Sequence, residues 1–248
     1  MLASCRVTNR FYTPGEERAA RVNDLFNTIA PRYDLINDLQ SFGLHRLWKR
    51  RLLRLAALRS GQRALDLCCG TGDVALALAN RGLDVVGLDF SEPMLAVARK
   101  RVASRQSTGP NPAPQFITGD AQQIPFPDES FDLVTISYGL RNLADWERGL
   151  AEMRRVAKPG GRLLVLDFGK PDNPLWRAVY FSYLRHCVPV LGRIFCGDAD
   201  THAYILESLL HYAAQKGVAA QMEALGLRDV RIVNLIGGIM SINTGIRV

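Results

Sequence analysis

Residues 65–73 read LDLCCGTGD. Two carboxylates, Asp66 and Asp73, enclose two adjacent thiols, Cys68 and Cys69, and two glycines, Gly70 and Gly72. A third carboxylate, Asp89, closes the run LDVVGLD. Such a cluster could be a thiol or metal site, a pyrophosphate cradle, or a pocket for another nucleotide-like cofactor. Gly70 to Ala75 matches G-x-G-x-x-A, and Asp89 stands in the position of a ribose-binding acid. That satisfies the dinucleotide fingerprint, which by itself fits several cofactors.

The carboxylates argue against a dinucleotide. A pyrophosphate sits on the amides of a helix N-terminus, where Asp66 and Asp73 would both lie beside it. Two unit charges about 5 Å apart at an effective dielectric near 20 repel by roughly 3 kcal/mol. The same residues suit a cationic nucleoside without phosphate, and S-adenosylmethionine has that character. Asp66 could accept its ammonium, directly or through water. Asp89 has acceptor oxygens for both ribose hydroxyls. Gly70 and Gly72 let the backbone approach closely, and Asp120-Ala121 resembles a loop that receives an adenine amino group. Asp73 has a second reading, as favourable charge in the first turn of a helix. Cys68 and Cys69 read as small packing residues rather than reactive thiols.

These residues need elements to position them. Val22, Leu25, Phe26 and Ile29 form a helical stripe over 16–30, interrupted by Pro31. A second helix is predicted over 43–58, with Leu44, Leu47, Trp48, Leu52 and Leu55 on its apolar side. Strands are predicted at 63–68, 83–89, 115–120, 131–137 and 161–168. Helices follow at 73–81, at 92–103 with Ser91 as cap and Pro93 in the first turn, and at about 145–157, ended by KPGG. Residues 104–114 have loop composition. Helix 217–225 and strands RDVRIVNL and GIMSINTGIRV close the chain, one of the last two strands running antiparallel. The pattern implies an α/β fold with a mostly parallel seven-stranded sheet and helices on both faces. Residues 1–60 form an N-terminal helical segment and 61–248 the cofactor-binding domain. Residues 171–213 break the rhythm and read as an inserted helical lid over the carboxyl ends of the strands, where ligands bind.

The 248 residues carry a net charge of +7. Residues 39–65 hold Arg46, Lys49, Arg50, Arg51, Arg54, Arg59 and Arg63 and no acid, which suits either a solvated helix face or a phosphate-bearing surface. Five cysteines at irregular spacing, without a C-x-x-C, argue against a disulfide framework or a zinc site and for a reducing, cytoplasmic compartment. No metal is expected. The N-terminal residues lack the apolar core of a signal peptide, and no run approaches the roughly 18 apolar residues of a membrane span.

Four segments, LDLCCGTGD, VVGLDFSEPML, TGDAQQIPFPDESFDLVTIS and KPGGRLLVLDF, resemble the class I S-adenosylmethionine-dependent methyltransferases with their Rossmann-like fold. Three others, YDLINDLQSFGLHRLWKR (33–50), SYGLRN (137–142) and GGIMSINTG (237–245), resemble the ubiquinone/menaquinone biosynthesis C-methyltransferases, including demethylmenaquinone methyltransferases. The resemblance runs from Phe11 to the end. It implies methyl transfer to a ring carbon of a prenylated quinol, with demethylmenaquinol to menaquinol favoured and 2-polyprenyl-6-methoxy-1,4-benzoquinol as the alternative. Phe90, Thr71 and Ser137 would join Asp66, Gly70, Gly72, Asp89, Asp120 and Ala121 at the cofactor. Arg141 and Asn142, after the fourth strand, would serve catalysis by stabilising a phenolate. Tyr33 and His45 would serve catalysis beside them and, with Asp34 and Tyr138, line the acceptor pocket, with His202 and Tyr204 contributing from the lid.

A prenyl tail lives in a bilayer. The basic helix and the acid-free stretch 173–197 therefore suit peripheral docking on the inner face of an anionic membrane. A homodimer is left open. Three rivals remain: a nucleic-acid or other small-molecule methyltransferase, a dehydrogenase, and a silent binding module. The D/N-P-P-Y/F segment of adenine N-methylation is replaced here by SYGLRN, and no RNA-binding module is recognisable, so no nucleic-acid partner is expected.

Overall fold

The computed structural model describes residues 17–29, 33–104, 112–196 and 200–248. Three helices come first: α1 (Glu17–Ile29), α2 (Tyr33–Gln40) and α3 (Leu44–Leu55). Strands and helices then alternate: β1 (Arg63–Leu67), α4 (Asp73–Ala79), β2 (Asp84–Asp89), α5 (Glu92–Ala103), β3 (Gln115–Thr118), β4 (Phe131–Ser137), α6 (Trp146–Val156) and β5 (Ala157–Phe168). Helices α7 (Pro174–Cys196), α8 (Asp200–His211) and α9 (Ala214–Ala224) precede β6 (Arg228–Leu235) and β7 (Met240–Ile246).

The seven strands form one sheet in the order β3-β2-β1-β4-β5-β7-β6. All pairs from β3 to β5 are parallel, and β7 runs antiparallel to both β5 and β6. This is the expected class I methyltransferase architecture. Leu65, Leu67, Val134, Ile136, Leu163 and Val165 bury one face, with Met153, Val218 and Met222 from α6 and α9. Ala64, Leu133, Leu164 and Leu166 bury the other, with Leu52 of α3 and Val74 and Leu78 of α4. Chain order reverses between β1 and β4, so their loops diverge and leave a crevice at the carboxyl edge.

Local signals set several boundaries. The Ser91 hydroxyl accepts from the Met94 amide at 3.4 Å and caps α5, and Asp145 accepts from the Arg148 amide at 2.8 Å and caps α6. Other boundaries differ from expectation. YDLINDLQ is a separate helix, α2, where sequence periodicity offered only a signature. KPGG does not simply end α6. It is built into the start of β5, with Ala157 paired to Phe131. Helix α9 starts at Ala214, three residues earlier than its amphipathic pattern suggested.

Leu47 is also different, because it is 53% exposed while Leu53 is buried. The buried face of α3 centres on His45, Trp48, Leu52 and Ala56. At about 100° per residue, Leu47 falls on the far side of it. In the region read as a lid, Tyr180, Leu184 and Val188 of α7 turn inward. Leu175, Val179, Val190 and Ile194 of the same helix stay exposed. Most of the 104–114 loop lies outside the described residues, as do the side chains of Ile29, Asp34 and His202.

Candidate active site

The loops at the carboxyl edge build two adjoining cavities. The first, of about 770 Å³, lies over β1, β2 and β4. Gly70, Asp89, Phe90, Asp120 and Ser137 line it, together with Asn142. Val22 and Phe26 of α1, with Met94 of α5, close it. The second cavity, of about 980 Å³, lies between α2, α3 and α7. His45 and Trp48 form one wall, Tyr180, Tyr183 and Val188 another, and Arg141 and Phe168 the floor. Phe26, Tyr33 and Tyr138 line both cavities, so these three rings stand at the junction.

Asp89 organises the first cavity. One oxygen accepts from the Gly70 amide at 2.8 Å and the other from the Ser91 amide at 2.9 Å, which ties the glycine turn to the tip of β2. Burial pushes its carboxyl above the usual range, against the pull of the Ser91, Gly70 and Phe90 amides. The Asp120 carboxylate accepts from the Gln122 amide at 2.8 Å, which shapes the loop after β3. Two strained residues mark the strand ends: Cys68 has φ 49° and Tyr138 φ 62°. Non-glycine residues hold such angles only where their surroundings enforce them. Here the enforcement is mutual, since a Cβ added to Gly139 would lie 2.4 Å from the Cys68 Cβ. Cys68 is therefore packed against the β4 loop. Burial raises both the Cys68 and Cys69 thiols well above their usual range, so neither is a nucleophile at neutral pH.

Several residues expected at the cofactor stand elsewhere. Asp66 is buried beneath the loop. Its oxygens accept from the Thr135 hydroxyl at 2.7 Å and the Ala75 amide at 3.1 Å, and it does not line the cavity. It braces β1 to β4 and α4 rather than meeting an ammonium directly. Burial pushes its carboxyl up to about 7, against the Thr135 hydrogen bond. Thr71 is buried against α5, its carbonyl and hydroxyl accepting from Arg101 at 3.0 and 3.1 Å. Ala121 is part of the core. Gly72 has φ 82°, and an added Cβ would meet the Phe116 ring at 2.8 Å, so close packing on β3 demands this glycine. Asp73 begins α4 and is paired with Lys49 at 2.7 Å and Arg101 at 2.5 Å. Burial acts to raise it, but the two cations hold its carboxyl below the usual range. Its charge is thus spent inside the protein, and the repulsion argued from Asp66 and Asp73 weakens.

The GLRN turn divides its two polar residues. Arg141 faces the second cavity and Asn142 the first, where both had been expected at the acceptor. Arg141 donates to the Tyr138 carbonyl at 2.6 Å and to Asp167 at 3.3 Å, and its guanidinium lies 4.6 Å from the Phe168 ring centre. Asp167 also accepts from the Arg141 and Phe168 amides at 3.1 and 2.8 Å. Burial raises the Asp167 carboxyl, and Arg141 counters that. Asn142 donates to the Tyr138 carbonyl at 3.0 Å and accepts from the Tyr204 hydroxyl at 3.1 Å, which joins α8 to the turn. Sequence reasoning missed Val22, Phe26 and Met94. Their apolar stripes signalled packing, and nothing local to them marks a cavity wall.

Besides Tyr212 Oη, which lines neither cavity, two buried hydroxyls have no hydrogen-bond partner among the described residues: Ser137 Oγ in the first cavity and Tyr138 Oη at the junction. Unpaired buried polar atoms are costly, and a polar nucleoside and a hydroxylated acceptor would satisfy them. The cavity therefore fits a polar nucleoside such as S-adenosylmethionine, since the carboxylates of Asp89 and Asp120 and the backbone of Gly70 line it. Among the described residues, no group of three or more His, Cys, Asp or Glu side chains is placed to hold a metal ion.

The model of the ubiE/COQ5 methyltransferase family matches residues 15–247. The ubiquinone/menaquinone biosynthesis C-methyltransferase UbiE of Ectopseudomonas mendocina is 42% identical over 238 residues, 94% of this chain and 91% of that protein. The protein of the same name from Azotobacter vinelandii is 40% identical over 237 residues, 94% and 92% of the two chains. Two solved structures share the fold at lower identity. A SAM-dependent methyltransferase from Aquifex aeolicus has a TM-score of 0.58 at 19% identity, over 81% of this chain and 89% of that one. Haemonchus contortus phosphoethanolamine N-methyltransferase 2, solved with S-adenosyl-L-methionine, has a TM-score of 0.59 at 18% identity, over 80% and 52%.

Proposed function

Because the chain belongs to the ubiE/COQ5 methyltransferase family and is an S-adenosylmethionine-dependent methyltransferase, we propose that it methylates a ring carbon of a prenylated quinol in quinone biosynthesis, with demethylmenaquinol as the acceptor. The observation that carries this reading is the pair of adjoining cavities that share Phe26, Tyr33 and Tyr138. One is polar at the strand tips and suits a nucleoside. The other is walled by aromatic rings, which favours a flat fused naphthoquinol over a methoxylated benzoquinol.

The bound donor supplies an electrophilic methyl on a sulfonium. The protein's part is to hold the acceptor ring in line and to make its carbon nucleophilic. Arg141, buried and pinned by Asp167, offers a fixed positive charge to a phenolate. Asn142 joins the cofactor wall to the same turn, and Tyr33 sets the ring at the junction. Asp89, Gly70, Phe90, Asp120 and Ser137 hold the donor. Thr71, Gly72 and Asp66 act one step back, by fixing the loop.

The acceptor's tail requires contact with a bilayer. No helix among the described residues is long and apolar enough to cross a membrane. We assign peripheral docking to α3 and the outer face of α7, within the N-terminal segment 1–60 and the helical insertion. Arg50, Arg51 and Arg54 are exposed on α3, beside exposed Phe42 and Leu47. Each basic side chain near an anionic surface contributes about 1 kcal/mol.

Quinone mass analysis of a strain lacking the protein tests the reading. Accumulation of demethylmenaquinone supports it. Accumulation of the benzoquinone lacking its ring methyl, with menaquinone unchanged, moves the assignment to the ubiquinone branch. Absence of binding to anionic liposomes at low salt removes the docking surface.

A further inference from the structure

The phenolate chemistry needs a group that takes the hydroxyl proton, and one wall of the acceptor cavity offers it. His45 is 4% exposed and lines that cavity. Its neighbour Ser41, in the turn between α2 and α3, bears on which ring nitrogen carries hydrogen. The Ser41 hydroxyl has a single proton, and it donates that proton to the Asn37 carbonyl at 2.6 Å. Its lone pairs remain. One accepts from the His45 amide at 3.2 Å. The other faces His45 Nδ1 at 3.0 Å. With the hydroxyl proton on the Asn37 carbonyl, Nδ1 is placed to donate, and the Asp38 carboxylate 3.6 Å away favours hydrogen there. The neutral ring is then the Nδ1–H tautomer, and Nε2 is a bare lone pair. Nε2 has no hydrogen-bond partner among the described residues, while the ring lines the cavity.

On the reading of the site as a quinol methyltransferase, we propose that His45 Nε2 is the general base for the acceptor hydroxyl, with Ser41 and Asp38 as its positioning residues. Asp38 lies 3.6 Å from Nδ1, where it favours the imidazolium once formed. Arg46 grips Asp38 at 2.9 and 2.5 Å and keeps it in place. The charges that face the ring are Asp38 and Asp73 against Lys49 and Arg46. Tyr138 and Arg141 share its cavity. Burial, then Lys49, lowers the imidazole below its ordinary range, so the ring is neutral and ready at pH 7.

The step balances as follows. Nε2 takes the hydroxyl proton, and the O–H pair moves into the ring. The ortho carbon bonds to the methyl, and the methyl–sulfur bond breaks with its pair left on sulfur. The ring carbon then loses its hydrogen as a proton to water, while the imidazolium returns its proton to the oxygen. The aromatic quinol is restored, His45 is regenerated, and one proton is released.

His45→Asn is the test, because an amide nitrogen can keep the Nδ1 hydrogen bond to Ser41 while Nε2 is lost. Turnover of S-adenosylmethionine and demethylmenaquinol should fall by about 10²–10³-fold, with donor affinity by calorimetry unchanged. The acid limb of kcat/KM against pH should disappear, and imidazole should restore part of the rate to His45→Ala. A uniform loss at every pH without imidazole rescue would overturn the proposal, as would a loss under threefold. Should the variants not fold, nitrogen NMR of the wild-type imidazole decides the question, and protonation at Nε2 in the neutral ring refutes the assignment. Wild-type protein that methylates no quinol would instead refute the underlying function.

Discussion

Replacing Asp167 by Asn probes the ion pair that holds Arg141 under the acceptor cavity. The side chains are 2% and 6% exposed, so neither charge is screened by water. Asn keeps the shape and removes the charge. Arg141 is then a buried cation whose contacts include the Tyr138 carbonyl and the Phe168 ring. Breaking one side of a buried pair costs about 3–5 kcal/mol. The carbonyl and the ring contact, present before and after the change, leave the cation partly compensated and keep the cost at or below the low end of that range. Against that, the amide must turn an N–H toward one of the two backbone amides that Asp167 accepts, losing about 1 kcal/mol. The net expectation is about 3 kcal/mol. For a chain of this size that lowers Tm by about 6–12 °C. Urea denaturation of Asp167→Asn, Arg141→Met and the double variant measures it. The double variant should recover at least about 2 kcal/mol of the summed losses, because two neutral side chains leave no stranded charge. Additivity within about 0.5 kcal/mol would refute the claim that the pair acts as a unit.

Gly72→Ala should weaken donor binding and cost about 1–2 kcal/mol of stability, from a left-handed φ of 82° and a Cβ 2.8 Å from the Phe116 ring; unchanged stability and affinity would mean the loop yields freely. Iodoacetamide on the native protein should modify exposed Cys187 well before Cys68 or Cys69, whose thiols burial holds protonated; peptide mass mapping reads the order, and early labelling of Cys68 would contradict it. Asp66, with a folded-state carboxyl near 7 against the ordinary 3.8, favours the neutral form on folding. Its contribution to stability is present below the ordinary value and is lost as pH rises through about 7, with a slope of up to about 1.4 kcal/mol per pH unit. Asp66→Asn should flatten that slope in urea titrations, and an unaltered slope would assign it to other groups.

The sequence by itself determined the order of the strands and of the helices between them as far as β5, the sheet class and the cofactor class. Strand runs such as FDLVTIS, caps such as Ser91 and the glycine turn are local signals, because hydrogen-bond spacing and side-chain periodicity act over a few residues. The GLRN, YDLINDLQ and HRLWKR segments likewise supply residues that line the second cavity, among them Arg141, Tyr33, His45 and Trp48. What tertiary structure alone decided is which side chains reach a cavity and which are spent within the protein. Asp66 and Asp73 looked like ligands beside the glycines, yet Thr135, Lys49 and Arg101 consume them from segments distant in the chain. Arg141 and Asn142 are adjacent, yet their side chains serve opposite cavities. Phe26 became a wall of both cavities only because α1 packs over the strand tips. A carboxylate's partner and a ring's exposure depend on distances between chain-remote groups, and those distances exist only once the sheet has brought the loops together.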